Sequence, residues 1–574
     1  MSKPITHQRF EPENSVLSYY TYETLTRILQ ELVGAYPHLA QLESIGKSLE
    51  GRELWLVTLT NTATGPALEK PAYWIDGNTH AGEVTGSTVV LYTIWSYLTN
   101  YGKDERVTRV LDRSAIYLLP RLSVDGAEKF LTTPYDLRSS TRIYPYAEER
   151  DGLYPEDIDG DGLILTMRIK SPNGDWKCSA KDPRVMRKRD IDEEDGEYYI
   201  ILTEGLIRNY DGFTIPVAPD REGMDVNRNY PYEWAPEGTE HGAGPYPFSE
   251  PETRAEAEFW RTHPNISGVV TYHTTSGVLL RPYGTQPDEH MPTEDLDVYK
   301  LIGQRGTEIT GYPNASVYHG FRYHPKKIMH GAMDDFGYEY HGWFGFTPEL
   351  WDLPTTAGIG PRDFIAWFRW HPEEDDLKIM HWNDEVMHGE AFIDWHPFEH
   401  PQLGTVEIGG WNYKLYETNA PLQYLPEMCE KHSRWTLSNA SLCPYLTLPH
   451  LQVEEQAAQI YRIRAVVENA GFLPTYTSKK ALEREDVRPM QAELTLPEGI
   501  ELISGERWQE VGQLEGRSNK IWNWWNGPSP TDNRCKLEWV VKGSAGTKLN
   551  LTIRAQRAGT LRREIILTSS QAEQ

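Results

Sequence analysis

The sequence predicts an α/β fold, a mixed sheet with helices on both faces, followed by a C-terminal all-β sandwich. Three observations carry this. Short apolar runs at Leu54 to Leu59, Tyr73 to Ile75 and Ala115 to Leu119 read as strands. Between the last two, Val89, Val90, Ile94 and Leu98 recur at helical spacing, and strands alternating with helices build a sheet covered on both sides. Beyond about residue 400, apolar and polar residues alternate with a period of two.

Taken in order, residues 21–33 place Leu25, Ile28, Leu29, Leu32 and Val33 on one helical face, closed by Gly34 and Tyr36-Pro37. The three strand runs and the Val84 to Leu98 helix follow, and Gly268 to Tyr272 and Trp343 to Thr347 extend the sheet. Residues 131–222, rich in Pro, Asp and Gly, interrupt the rhythm as an insertion expected to be β-rich. IYRIRAVVEN (460–469), AELTL (492–496), KLEWVV (536–541) and KLNLTIRA (548–555) are the expected sandwich strands. The change of texture is expected around HPQLGTVEIGGW (400–411), and the chain is divided into a catalytic domain over 1–395 and a β domain over 396–574.

A chain of 574 residues is too long for one ordinary core. Its formal charge of -27 argues against nucleic acid and anionic membrane as partners, since both would repel it. The first fifteen residues lack the basic start and apolar run of a secretory signal, and no stretch approaches the roughly 20 apolar residues of a membrane span. The four cysteines have no C-x-x-C spacing, so neither a thiolate zinc site nor a disulfide framework is indicated. A cytoplasmic location is the expectation.

IDGNTHAGEVTG (75–86) contains His80 and Glu83 at i and i+3. That spacing alone is weak. His371 with Glu374 and His396 with Glu399 repeat it without a preceding strand, and read as surface or core residues. His80 and Glu83 instead follow an apolar run and the turn formers Asp76, Gly77 and Asn78, on a strand-to-helix loop where α/β sheets bind ligands. An open catalytic zinc site needs a third ligand, and His273 ends another strand-like run. Glu349 stands at the end of a third, in FGFTPELWD. In the insertion, DIDGDG puts Asp157, Asp159 and Asp161 at the one-three-five spacing of a calcium loop, but Arg168 occupies the twelfth position where a helix-loop-helix site needs Glu. A structural calcium or an Asp-rich turn remains.

Roughly residues 15–395, the insertion apart, resemble the zinc metallocarboxypeptidases of the carboxypeptidase A type. Eight blocks in order carry the likeness: YPHLAQLESIGKSLEGREL, THAGE, LPRLSVDG, MDVNRN, FSEPETRAEAEF, VVTYHTTSGVLLRPYG, SVYHGF and FTPEL. The blocks from YPEDIDGDG to HPQLGTVEIGGW look like a bacterial branch of that family with a C-terminal β domain. The resemblance implies that His80, Glu83 and His273 bind one zinc ion with a water in the fourth position; zinc lowers the pKa of such a water from about 16 toward ~7. It implies Glu349 as general base, and Asp225 as the carboxylate that orients His80. It implies Arg138 for the scissile carbonyl, with Arg142 a nearby rival. Asn227 and Arg228 match the clamp for the free C-terminus of a peptide substrate, since an arginine fork suits a carboxylate. Tyr318 matches the capping tyrosine, though FRYHPKKIMH lengthens the following loop and makes Tyr323 a rival.

Departures from the family pattern bear on substrate choice. Gly82 stands where the family has an arginine, and Ser123-Val124 replaces Asn-Pro. Counted back from Glu349 without a gap, Asp334 takes by the resemblance the family position at the base of the side-chain pocket, where an acid favours C-terminal Lys or Arg, with Asp335 beside it. The expected activity is that of a zinc carboxypeptidase. An amidohydrolase acting on cell-wall peptides or N-acyl amino acids with the same zinc core is the near rival. A non-catalytic binding protein would have lost Glu349 or a ligand, and none is lost. With no propeptide visible, a narrow entrance formed by the insertion and the tyrosine loop is the expected gate.

Overall fold

Helix α1 (Tyr22–Ala35) buries Leu25, Ile28, Leu29 and Leu32 and exposes its other faces, as the periodicity predicts. It lies against an eight-stranded sheet. In chain order its strands are β1 (Ala40–Lys47), β2 (Glu53–Leu59), β3 (Ala72–Gly77), β4 (Ala115–Leu119), β5 (Ile266–Thr274), β6 (Val278–Arg281), β7 (Asn314–Ser316) and β8 (Phe344–Leu350). In space the order is β1-β2-β4-β3-β5-β8-β6-β7. β4, β3, β5 and β8 run parallel, and β1, β2 and β6 join antiparallel, so the sheet is mixed. The computed structural model describes residues 17–520, 530–568 and 571–573; the stretch read above for a leader lies outside them.

Every residue of β3 and β5 is buried, because helices cover both faces. Helix α2 (Val84–Asn100) is buried nearly all round, since it lies between the sheet and a second helix, Leu425–Ala440. Tyr97 fixes that contact by donating to the Ser433 carbonyl at 2.9 Å. The start of α2 sits hard on the sheet. A Cβ at Gly77 would fall 2.8 Å from the Gly86 backbone, and one at Gly86 would fall 2.9 Å from the Tyr272 carbonyl. Glycine at both positions lets the His80–Glu83 loop close onto the ends of β3 and β5.

The insertion is β-rich, and it binds the chain beyond the main sheet. Strand Thr166–Lys170 pairs with Gly404–Trp411, which forms a hairpin with Phe392–His400. The expected boundary between 395 and 396 therefore cuts a strand. Residues 396–440 pack with the first region, because their hairpin completes the insertion's sheet and Leu425–Ala440 completes the main apolar core. The strand-rich remainder starts at Leu446, as a five-stranded and a four-stranded sheet around one apolar core that includes Ile463, Trp539 and Leu551. Along Ile460–Asn469 buried and half-buried residues alternate, as the period-two pattern requires. This region grips the catalytic part through elements beside its sheet: Ser478 Oγ donates to the carbonyl of Gly342, which ends helix Met333–His341, at 2.6 Å, and Arg562 pairs with Glu69.

Candidate active site

The loop after β3 is folded by its own side chains. Asn78 adopts φ +60°, a region asparagine tolerates, and its Nδ2 donates to the carbonyls of His80 (2.6 Å) and Ala81 (3.1 Å). From outside, Asn419 Nδ2 donates to the Gly82 carbonyl at 2.7 Å while its Oδ1 accepts from the Thr85 N–H at 3.0 Å. Sequence reasoning missed Asn419, because a single asparagine in a loop carries no pattern.

The loop and two strand ends then converge. His80 Nδ1 lies 2.7 Å from Glu83 Oε1, His273 Nδ1 lies 3.1 Å from Glu83 Oε2, and the two Nδ1 atoms are 3.0 Å apart. One ligand atom from each of His80, Glu83 and His273 falls within 4.8 Å of the others. Two ring nitrogens that aim lone pairs at one point repel each other unless a cation lies between them. Two imidazoles and one carboxylate, with a side left open, form the donor set of a catalytic zinc site, so the residues fit that ion. Burial raises the Glu83 carboxyl, but the His80 and His273 rings outweigh it and hold the group below its usual range.

Asp225 backs His80. Its Oδ1 lies 3.1 Å from His80 Nε2 and also accepts from the Asn227 N–H at 2.9 Å, and its Oδ2 accepts from Arg138 Nε at 2.9 Å. Burial raises this carboxyl too, yet Arg138, Arg228 and His80 together hold it well below the carboxylate range. A carboxylate on the far ring nitrogen fixes the tautomer that turns Nδ1 toward a metal.

Glu349 sits directly across from His273 in the parallel register of β5 and β8, buried. Burial and then the Glu83 charge push its carboxyl well above the ordinary range. Arg138 approaches the same point, with Nη1 3.4 Å from Glu83 Oε1, and its side chain remains 41% exposed to the cleft. Arg142 is turned away: its Nε lies 2.9 Å from both oxygens of the buried Glu250.

Arg228 is buried, with Nε on Glu240 Oε1 (3.2 Å) and Nη1 on the Asn227 carbonyl (2.9 Å). Asn227 Oδ1 accepts from the Met333 N–H at 2.9 Å. Tyr318 does not join this group, which corrects the expectation. Its ring lies under the Arg322 guanidinium, 3.8 Å from centroid to cation, whereas the Tyr323 phenol interacts electrostatically with Arg138, Arg228, Glu349 and Asp225. Along the lengthened loop Tyr318 stays half-buried beneath Arg322, while Tyr323, 51% exposed, keeps its phenol within electrostatic range of those charges. Asp334, in the first turn of helix Met333–His341, is buried and within electrostatic range of His273, Arg228 and Glu349. Its Oδ1 accepts only the Asp335 N–H (3.0 Å) among the described residues, while Asp335 is occupied by the N–H groups of Gly284 and Thr285. The two acids, indistinct in sequence, are thus distinct in place.

A Cβ at Gly82 would lie 3.0 Å from Asp136 Oδ1 and 3.1 Å from the Phe130 ring, so a larger residue there requires those side chains to shift. The insertion walls one side of the cleft, a cavity of about 660 Å³, with Glu149, Tyr154, Arg208 and Arg221. In DIDGDG a second correction is needed. Asp157 and Asp159 converge with the buried Glu204, not with Asp161, whose Oδ1 accepts from the Leu163 N–H at 2.8 Å. The two repeats of the His-x-x-Glu spacing are occupied elsewhere: His371 pairs with Asp376 and His396 with Asp159, each at 3.0 Å.

Two histidines and a glutamate on the carboxyl ends of adjacent parallel strands, backed by one buried carboxylate and faced by another, define an α/β protein with a metallohydrolase-type centre. The comparisons agree and make the class specific. The chain belongs to the zinc carboxypeptidase family, whose model matches residues 25–367; residues 445–566 match a domain family of unknown function. Mouse carboxypeptidase A4 is 21% identical over 360 residues (61% of this chain, 66% of that protein), and mouse carboxypeptidase A2 is 23% identical over 375 residues (62% and 71%). The chain thus spans about two thirds of the length of these relatives. The crystal structure of carboxypeptidase A from Helicoverpa armigera superposes with a TM-score of 0.42 at 16% identity, covering 66% of this chain and 74% of that one.

Proposed function

We propose that this chain is a metallocarboxypeptidase that hydrolyses the C-terminal peptide bond of peptides with a free α-carboxylate. The observation that carries the reading is the convergence of His80, Glu83 and His273 with Glu349 in register beside His273. Held by those three residues, zinc would polarise the scissile carbonyl and make a water acidic enough to attack at neutral pH. With a cation held by the three ligands offsetting the Glu83 charge that raises it, Glu349 would be ionised and act as general base: its carboxylate takes the proton of the attacking water and later returns it to the leaving amine nitrogen. Arg138, anchored at Nε by Asp225, presents its remaining N–H groups to the developing oxyanion.

The clamp for the terminal carboxylate follows from which donors are already used. With Nε and Nη1 engaged, Arg228 offers Nη2; with Oδ1 taken by Met333, Asn227 offers its amide N–H groups. One prong from each side chain holds the carboxylate, and the Tyr323 hydroxyl closes over it. Asp334, buried and within electrostatic range of Arg228 and Glu349, is proposed to meet the terminal side chain. Because that carboxyl makes no ion pair among the described residues, with Arg228 and His273 only in electrostatic range, a terminal Lys or Arg would supply one, and a preference for basic ends is part of the proposal.

Asp157, Asp159 and Glu204 are proposed as a structural calcium site, distinct from the catalytic centre. The carboxypeptidase reading is tested by release of the last residue from blocked dipeptides, and the amidohydrolase reading gains if zinc-loaded protein releases none.

A further inference from the structure

We propose that the strand-rich region beginning at Leu446 is a working part of the active site: through Arg484 and Lys480 on Glu339 it positions the helix whose first turn meets the substrate. What that first turn does rests on the carboxypeptidase reading. The docking of the helix's other end stands on geometry alone.

Helix Met333–His341 has nine residues, too few to hold its shape unless both ends are fixed by the rest of the chain. Its first turn belongs to the site. The Met333 N–H holds Asn227 Oδ1, Asp334 follows, and Asp335 accepts from the Gly284 and Thr285 N–H groups. Its last turn is held by the other region. Arg484 Nε donates to the Glu339 carbonyl at 2.9 Å, Arg557 Nη2 donates to that of His341 at 2.7 Å, and Ser478 Oγ donates to that of Gly342. A helix end leaves such carbonyls without partners, and cations are favoured beside them.

Glu339 ties this end to the pocket side. It is 4% exposed; its Oε2 accepts from Arg484 Nη2 at 2.9 Å, and its Oε1 accepts from the Tyr283 hydroxyl at 2.6 Å and faces Lys480 Nζ at 3.1 Å. Burial raises this carboxyl, but Tyr283, Arg484 and Lys480 outweigh it and hold it below its usual range. Tyr283 leads back to the site. The next residue, Gly284, donates to Asp335, and the Tyr283 carbonyl accepts from the Tyr318 N–H at 2.7 Å, where the loop to Tyr323 starts. The helix face of Asp334 is held from the same side. Tyr338, four residues further on, donates to Asp295 Oδ2 at 2.7 Å, and Asp295 also accepts from the N–H groups of Lys479 and Lys480 at 2.8 and 3.0 Å.

Asp334 and Glu339 are separated by about 7.5 Å along the helix axis. Over so short a length a helix moves as a rod, so a shift where Arg484 holds it reaches Asp334 and Asn227. Arg484 and Lys480 are positioning residues that touch no substrate.

The test compares full-length Arg484→Ala with Arg562→Ala. The first leaves Lys480 on Glu339, so the buried carboxylate keeps a cation; the second breaks the pair with Glu69, a contact between the same two regions away from this helix. Two quantities are read: steady-state rates on blocked dipeptides with varied terminal residues, and amide hydrogen exchange over residues 333–341. Arg484→Ala is expected to raise KM by roughly fivefold with kcat within about twofold, to narrow the spread of kcat/KM among terminal residues by a similar factor, and to speed exchange in the helix. Arg484→Lys should recover most of this, and Arg562→Ala should leave rates and exchange as in the native chain. If the native chain hydrolyses no dipeptide, the carboxypeptidase reading falls, and exchange at residues 333–335 decides this proposal by itself. Native discrimination or native exchange in Arg484→Ala, or equal losses in the two alanine variants, would overturn it.

Discussion

His273 and Glu349 are direct partners in the parallel pairing of β5 and β8. The proposed metal ligand and the proposed base thus stand on two rigid strands inside one sheet, and their separation is set by backbone hydrogen bonding. The other two ligands sit on a loop, but that loop is pinned between Asn78 within and Asn419 outside. Sites on strands and pinned loops hold reacting groups at fixed distances, as hydrolysis of a stable amide requires.

Asp225 sets the ring of His80, so its removal should act through the metal. Asp225→Asn is expected to weaken zinc affinity by roughly 10–100-fold, read by competition with a coloured chelator. Dialysis against a strong chelator should abolish hydrolysis, and added zinc should restore it. Unchanged zinc affinity in the variant would remove Asp225 from this role.

The two arginines should separate cleanly. Arg138→Ala is expected to lower kcat by roughly 10²–10³-fold, the loss seen when an oxyanion donor is removed. Arg142→Ala should act on stability instead, by about 3 kcal/mol, because it leaves the buried Glu250 without its cation. Denaturant melts and steady-state rates on both variants check this, and a catalytic defect confined to Arg142→Ala would reverse the assignment.

Calcium should matter to the insertion alone. Added to chelated protein, it is expected to raise the melting temperature, and Glu204→Gln should abolish that rise. An identical melting temperature with and without calcium would leave DIDGDG as a turn held by its own backbone contacts, such as Asp157 accepting from the Gly160 and Gly162 N–H groups at 2.8 and 3.0 Å.

The buried His432 gives an acid limit to stability. Burial lowers its pKa from 6.5 to about 3, with Lys431 adding to the shift. Between those values the unfolded chain binds the proton that the folded chain refuses. Its contribution is therefore intact above pH 6.5 and is lost as pH falls toward 3. His432→Leu should flatten the fall in melting temperature across that window, and an unchanged slope would exclude this group as its source.

Much of this was legible in the sequence because one physical signal marked each part. Apolar runs closed by turn formers located β3, β5 and β8, and the proposed ligands His80, Glu83 and His273 and the proposed base Glu349 stand at their carboxyl ends. What escaped is set by three-dimensional closure. Tyr323 and Tyr318 look alike in sequence, and only the path of the loop turns one toward Arg138. Glu204 joins Asp157 from the bend between two later strands of the insertion, beyond the reach of any local spacing. Helix Leu425–Ala440 carries buried His432, Ser433 and Asn439, so its periodicity is blurred by polar residues that are satisfied or enclosed only once it docks on α2.

The central claim is tested most directly by release of the last residue from blocked dipeptides ending in Lys, Arg, Leu, Phe or Glu, using zinc-loaded protein beside Glu349→Gln. The account predicts release by the native chain, fastest for Lys and Arg, with a loss of at least roughly 10²–10⁴-fold in the variant. No release from any dipeptide despite stoichiometric zinc, or undiminished release by Glu349→Gln, would contradict it.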